Sequence, residues 1–207
     1  MTRYSPLAHL AALMAGLVTA SLVVACADPT PDVVLETELG EIVIEVDPEA
    51  APASAADFLA YVDAGLYDGQ GFYRTVTPES DPQGMEMSLI QGGRLNLEPL
   101  GEFVAHERTD ATGLSNGPGT VALARNAPGE GSAAFFFINV GDNRFLDAGE
   151  GTRNPDGEGY AVFGEVVRGM DVARAIQARP TAPDTDGVFD DGQKLAEPVY
   201  ILRAYRD

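Results

Sequence analysis

"AAFFFINV", residues 133–140, sets three phenylalanines side by side. How those rings divide between two faces decides what kind of sheet the chain builds. A strand sends successive side chains to opposite faces, so Phe135 and Phe137 point one way and Phe136 the other. A sheet with one buried face would leave aromatic rings in water. Two readings satisfy the run: a strand sandwiched between a barrel and a helix, or a strand whose outer face carries an apolar binding patch.

Working outward, short strand-like runs recur on both sides. "VVLETELGEIVIEV" (33–46) is two β-branched runs around Gly40, a hairpin pattern in which Ile42, Ile44 and Val46 alternate with Val43 and Glu45. "GFYRTV" (71–76), "MSLIQGG" (87–93), "TVALA" (120–124), "YAVFGEVV" (160–167) and "PVYILRAY" (198–205) read as further strands. Two segments carry helical spacing. "PEAAPASAADFLAYVDAG" (48–65) has Phe58, Leu59 and Val62 on one face, Pro52 in its first turn, Ser54 as a cap or early-turn residue, and Gly65 at its end. "GMDVARAIQAR" (169–179) stops before Pro180. Two long loops, 77–86 and 181–197, complete the chain, with no repeat and no second domain. Many short strands with two helices predict a mainly β fold, a closed antiparallel barrel whose open ends the helices cap, because closure removes exposed strand edges.

The chain of 207 residues holds 32 acidic and 13 basic residues, a net charge of −19. That balance argues against nucleic-acid binding through a basic surface. His9 lies near the N-terminus, which leaves His106 as the only other histidine and excludes a histidine-rich metal site. No nucleophile-elbow, zinc-protease or phosphate-loop spacing is present. "DTDGVFDDG" (184–192) is acidic, yet it lacks the alternating ligands and terminal Glu of a calcium loop, and reads as a solvated turn. No metal and no cofactor is expected.

The N-terminus is a separate matter. Arg3 precedes an uncharged apolar stretch, "LAHLAALMAGLVTASLVVA", that ends at the single cysteine, Cys26. This is the pattern of a secretory signal over residues 1–25. It resembles the bacterial lipoprotein signal, in which the cysteine becomes the lipidated first residue, with Val23 where Leu is commonest. An ordinary signal or anchor with an incidental cysteine is the alternative. Cleavage would remove one basic residue, leaving 12 against 32 and a charge of −20. "ADPTPD" (27–32) then serves as a tether from Cys26 to a domain over 33–207. The expected location is extracytoplasmic, on a bacterial membrane facing the periplasm. The outer membrane is favoured because Ala27, not Asp, follows the cysteine.

Six pieces in order, "GFYRTV", "LIQGG", "NGPGTVALAR" (116–125), "FFFINV", "NRFLD" (143–147) and "GYAVFGEVVRGMDV" (159–172), resemble the cyclophilins, eight-stranded barrels that isomerise peptidyl-prolyl bonds. The resemblance spans roughly 33–206. It implies that Phe136 enters the core while Phe137 floors an outer pocket for a proline ring. It further implies Arg74 as the catalytic arginine and Gln91 as the glutamine that orients it. Leu123, Phe137, Phe145, Leu146 and Tyr160 would line the pocket, and the backbone at Ala124 and Arg125 would pair with a bound peptide. Proline-containing polypeptides are the expected partners, and a monomer is expected.

Two positions depart from the pattern. Ser88 stands where a pocket Phe is usual, and Phe135 replaces a polar residue on the groove side. The long 77–86 loop before Ser88 leaves two outcomes: a shallower pocket, or one whose wall Met85 or Met87 supplies. A cyclophilin-fold peptide-binding module with little catalysis is therefore the rival reading. A small-ligand barrel is a third, and it would need an apolar interior cavity.

Overall fold

The hairpin read around Gly40 is formed by β1 (Asp32–Thr37) and β2 (Gly40–Val46), whose partners run from Asp32 against Glu45 to Thr37 against Gly40. The computed structural model describes residues 1, 30–96, 102–127, 129–149, 153–185 and 187–207. Six more strands follow: β3 (Gly71–Val76), β4 (Leu89–Gly93), β5 (Thr120–Leu123), β6 (Phe135–Asn139), β7 (Val162–Arg168) and β8 (Lys194–Arg206). They close into an antiparallel barrel in the order β1-β2-β7-β5-β6-β4-β3-β8. β8 starts at Lys194 instead of 198, so the loop before it is shorter than the sequence reading had it.

Among the described residues three α-helices accompany the barrel. α1 (Pro52–Asp63) and α3 (Met170–Gln177) coincide with the two segments of helical spacing, and α2 (Thr109–Thr112) is a single turn in a stretch that carried no periodicity. Ser54 is not the cap of α1. The N-cap is Ala51, and Glu107, far away in sequence, accepts the Ala53 and Ser54 amides at 2.9 and 2.8 Å. Its carboxylate thereby satisfies orphan N–H groups at the positive end of the helix dipole.

The barrel interior is aromatic. Phe58 of α1 meets Tyr67, Phe136 and Phe163 at ring-centroid distances of 5.5, 5.7 and 4.8 Å, so α1 plugs one end of the barrel. Val33, Leu35, Ile42, Ile44, Phe72, Ile90, Val121, Phe136 and Ile138 fill the same core. A second, smaller apolar cluster lies outside the wall: Val76, Met87, Leu89, Ala122, Phe137, Leu146 and Val162. Phe136 belongs to the inner cluster and Phe137 to the outer one. This is the strict alternation of a strand with apolar matter on both faces. "LIQGG" ends in glycine because β4 passes close to the β6 turn. A Cβ on Gly93, where φ is +123°, would stand 2.0 Å from the Ala134 carbonyl oxygen.

Candidate active site

Register alone gathers the site. Arg74 pairs with Gln91 across β3–β4, Gln91 with Phe137 across β4–β6, and Phe137 with Ala122 across β6–β5. These four residues form one row around the outer wall. Simple alternation from the buried Phe72 would have turned Arg74 inward, but the ladder shifts between Phe72 and Arg74. That bulge lets Tyr73 and Arg74 both face outward, a common use of bulges beside functional sites.

The row opens into a cavity of about 720 Å³. Its apolar part is Met87, Leu89, Phe137 and Leu146, all at most 5% exposed. Tyr160 stands edge-on to Phe137, with centroids 5.3 Å apart and planes at 88°. Arg125 braces Tyr160 from behind: its guanidinium sits 5.2 Å from the ring centroid, grips Asp156 at 2.9 and 3.0 Å, and donates to the Gly159 carbonyl at 2.8 Å. Ala124, Arg125, Asn126, Phe103 and Phe135 line the groove beyond Tyr160, and Phe189 and Asp190 line it beside Arg74.

Arg74 is the polar centre of this cavity. Its Nη1 donates to Gln91 Oε1 at 2.8 Å, while Nε and Nη2 both donate to Gln193 Oε1, at 2.9 and 2.6 Å. Both acceptors are neutral amide oxygens. Three of the five N–H donors of a guanidinium are thus used, and the positive charge meets no carboxylate within salt-bridge distance among the described residues. Burial lowers the Arg74 pKa, with Tyr160 and Asp190 opposing the shift. Burial also raises Tyr73 to about 12, so its hydroxyl stays protonated while it accepts Gln91 Nε2–H at 3.2 Å.

Three residues assigned to the pocket from the sequence, Leu123, Ser88 and Phe145, do not line it. Leu123 follows Val121 into the barrel core, because β5 turns Ala122 outward and Val121 and Leu123 inward, and Leu123 is 2% exposed within that core. Ser88 is likewise not in the groove: its hydroxyl accepts Gln177 Nε2–H from α3 at 3.0 Å, and its backbone is bonded to Asn143 at 3.0 and 2.8 Å. Met87, the residue before it, takes the pocket position. Phe145 packs against the outer cluster without lining the cavity. Arg74, Gln91, Phe135, Phe137, Ala124, Arg125, Leu146 and Tyr160 all line it. Cys26 lies outside the described residues.

The loop that puts Met87 there is a built feature. Asp81, its side chain fully buried, accepts the Gln83, Met85 and Met87 amides at 3.2, 2.8 and 3.2 Å and pairs with Arg153 at 2.7 Å. Sequence reading missed this pair, as it missed Tyr73, Phe189 and Gln193. Phe189 was the one legible signal, a lone aromatic in an otherwise acidic loop. Its ring lies 5.3 Å from the Arg74 guanidinium carbon and stacks on Tyr73 with centroids 5.8 Å apart.

Residues 32–206 match the family described as cyclophilin type peptidyl-prolyl cis-trans isomerase/CLD. The chain is 38% identical over 149 residues to peptidyl-prolyl cis-trans isomerase cyp18 of Streptomyces antibioticus, covering 71% of this chain and 83% of that one. It is 36% identical over 170 residues to a peptidyl-prolyl cis-trans isomerase of Acinetobacter baylyi, covering 81% of each. Its fold matches a cyclophilin type peptidyl-prolyl cis-trans isomerase of Cryptosporidium parvum, crystallised in the presence of the dipeptide Ala-Pro. The TM-score is 0.65 and the identity 18%, over 85% of this chain and 98% of that one.

Proposed function

The chain belongs to the cyclophilin-type peptidyl-prolyl cis-trans isomerase family and is a peptidyl-prolyl isomerase, and on that premise we propose that it isomerises X–Pro bonds of extracytoplasmic proteins, assisting their folding, through Arg74 and the cavity beside it. Rotation about an X–Pro amide is opposed by a barrier of ~18–20 kcal/mol because twisting breaks the resonance of the bond. Lowering that barrier takes a dry grip on the ring and a donor placed where the twisted nitrogen gains a lone pair. Met87, Leu89, Phe137 and Leu146 grip the proline ring. Arg74 supplies the donor with the N–H groups that Gln91 and Gln193 leave over, and no bond to carbon is made or broken.

The observation that carries this reading is the Arg74 frame: a guanidinium held by two neutral amides beside an apolar floor. A surface charge would be solvated or paired with one of the many carboxylates, whereas this one stays free to act. The peptide-binding rival drew its support from the missing ring at position 88, and Met87 occupies that space.

The signal-like stretch before Cys26 supports an extracytoplasmic, lipid-anchored protein, with the outer membrane favoured by Ala27. The test of the catalytic reading is the cis/trans exchange rate of an Ala-Pro peptide, measured by exchange NMR with catalytic amounts of the purified chain. Acceleration that disappears in Arg74→Ala is expected. Binding of the peptide without acceleration would replace this reading with that of a binding module.

A further inference from the structure

We propose that Gln193, in the loop before β8, is a positioning residue of the isomerase reaction: it holds the Arg74 fork in its working orientation and joins it to the 77–86 loop. Two short segments that lie far apart in sequence meet at this side chain. Its Oε1 accepts both Nε–H and Nη2–H of Arg74, at 2.9 and 2.6 Å, so a single oxygen takes the whole edge of the fork. Its Nε2 donates to the Ser80 carbonyl at 2.8 Å, on the loop that delivers Met87 to the pocket. Gln193 is itself completely buried, and its backbone is clamped on both sides, to Asp190 at 3.2 Å and to Thr75 at 2.8 Å. An arginine has four rotatable bonds before its fork, the last of them Cδ–Nε. A partner on Nη1 alone leaves the fork free to swing about the Cδ–Nε axis, and a second partner on the Nε edge removes that freedom.

The same loop closes the remaining face. Asp184 accepts the Phe189 amide at 2.6 Å and Lys194 Nζ at 3.3 Å, which seats the Phe189 ring over the guanidinium. The acidic stretch that reads as a solvated turn is thereby a bracket for Arg74. A neutral partner also suits the chemistry. A carboxylate at this position would hold the fork equally well but would neutralise the charge that the twisted amide needs.

The inference rests on Arg74 being the catalytic donor, and the test separates the two. Gln193→Met keeps the side-chain volume and removes all three of these side-chain hydrogen bonds. In the purified full chain, kcat/KM on a proline peptide should fall about tenfold through kcat, with peptide affinity held within about twofold. In an Arg74→Lys background, which has no Nε–H to orient, Gln193→Met should change kcat by less than about twofold. The Arg74 Nε–Hε resonance, identified by its loss in Arg74→Lys, should be protected from exchange in the wild type and lose that protection in Gln193→Met. An equal loss of kcat in both backgrounds, or a protected resonance that survives Gln193→Met, overturns the proposal. Unchanged activity in Arg74→Ala would instead overturn the reading beneath it.

Discussion

Replacing Met87 by alanine and Ser88 by phenylalanine tests which residue walls the proline pocket. A wall at Met87 predicts a loss in the first variant and no gain in the second, and a wall missing at Ser88 predicts the reverse. Met87 is 5% exposed and packs with Leu89, Phe137 and Leu146, so alanine removes three heavy atoms from the cavity side of that cluster. A contact of roughly 50 Å² with a prolyl ring, at about 25 cal/mol per Å², is worth about 1.3 kcal/mol, or about tenfold in kcat/KM. The fold should lose about 2 kcal/mol, the low end for methionine truncation, since one side of the new hole already opens to solvent. Ser88→Phe behaves differently. Ser88 is bonded to Gln177, and its Cβ lies 2.8 Å from where a Cβ on Gly141 would stand, so a phenyl ring meets α3 and the neighbouring turn. The expected cost is about 1–3 kcal/mol of stability with no gain in peptide affinity. Exchange NMR of a proline peptide, together with urea unfolding of both variants, reads all four quantities. Tighter peptide binding in Ser88→Phe, with Met87→Ala within twofold of wild type, would refute the assignment of the wall to Met87.

Arg74→Ala should lower kcat/KM by about one to three orders of magnitude, or about 1.4–4 kcal/mol, and Arg74→Lys should recover only part because a point charge lacks the fork. Circular dichroism should show both variants folded, since the side chain faces the groove. Asp81 predicts an acid-side loss of stability. Burial pushes its carboxyl up, but hydrogen bonds from Arg153 and from the Gln83, Met87 and Met85 amides outweigh this and hold it below its ordinary 3.8. A depressed folded pKa stabilises above the unfolded value and loses that contribution as pH falls through the folded one. Asp81→Asn should therefore cost about 2–3 kcal/mol at neutral pH, and the difference from wild type should shrink below about pH 4 in urea titrations. Cys26→Ser should abolish incorporation of a labelled fatty acid and shift the protein out of the membrane fraction, and label retained by the variant would refute lipidation.

Much of the fold was legible because it rests on local periodicity. Alternation at Ile42, Ile44 and Val46, helical spacing at Phe58, Leu59 and Val62, and the two-faced run Phe135–Phe137 each report which side is buried without reference to any partner. Those patterns imply a barrel with apolar matter outside its wall, and the resemblance to cyclophilins implies the places of Arg74 and Gln91 in it. What periodicity cannot report is a break in itself. The β3 bulge reverses the facing of Arg74, and the 77–86 loop shifts the pocket wall from Ser88 to Met87, which is why Ser88 was misplaced. Leu123 failed for the opposite reason: the strand alternation there is regular and puts it inside, against the position suggested by likeness of motif. Gln193 lay beyond any sequence argument, since it meets Arg74 across 119 residues. Hydrogen-bond partners at that separation exist only once the barrel closes, so the chain's periodicities decide the barrel, and the closed barrel alone decides what holds its arginine.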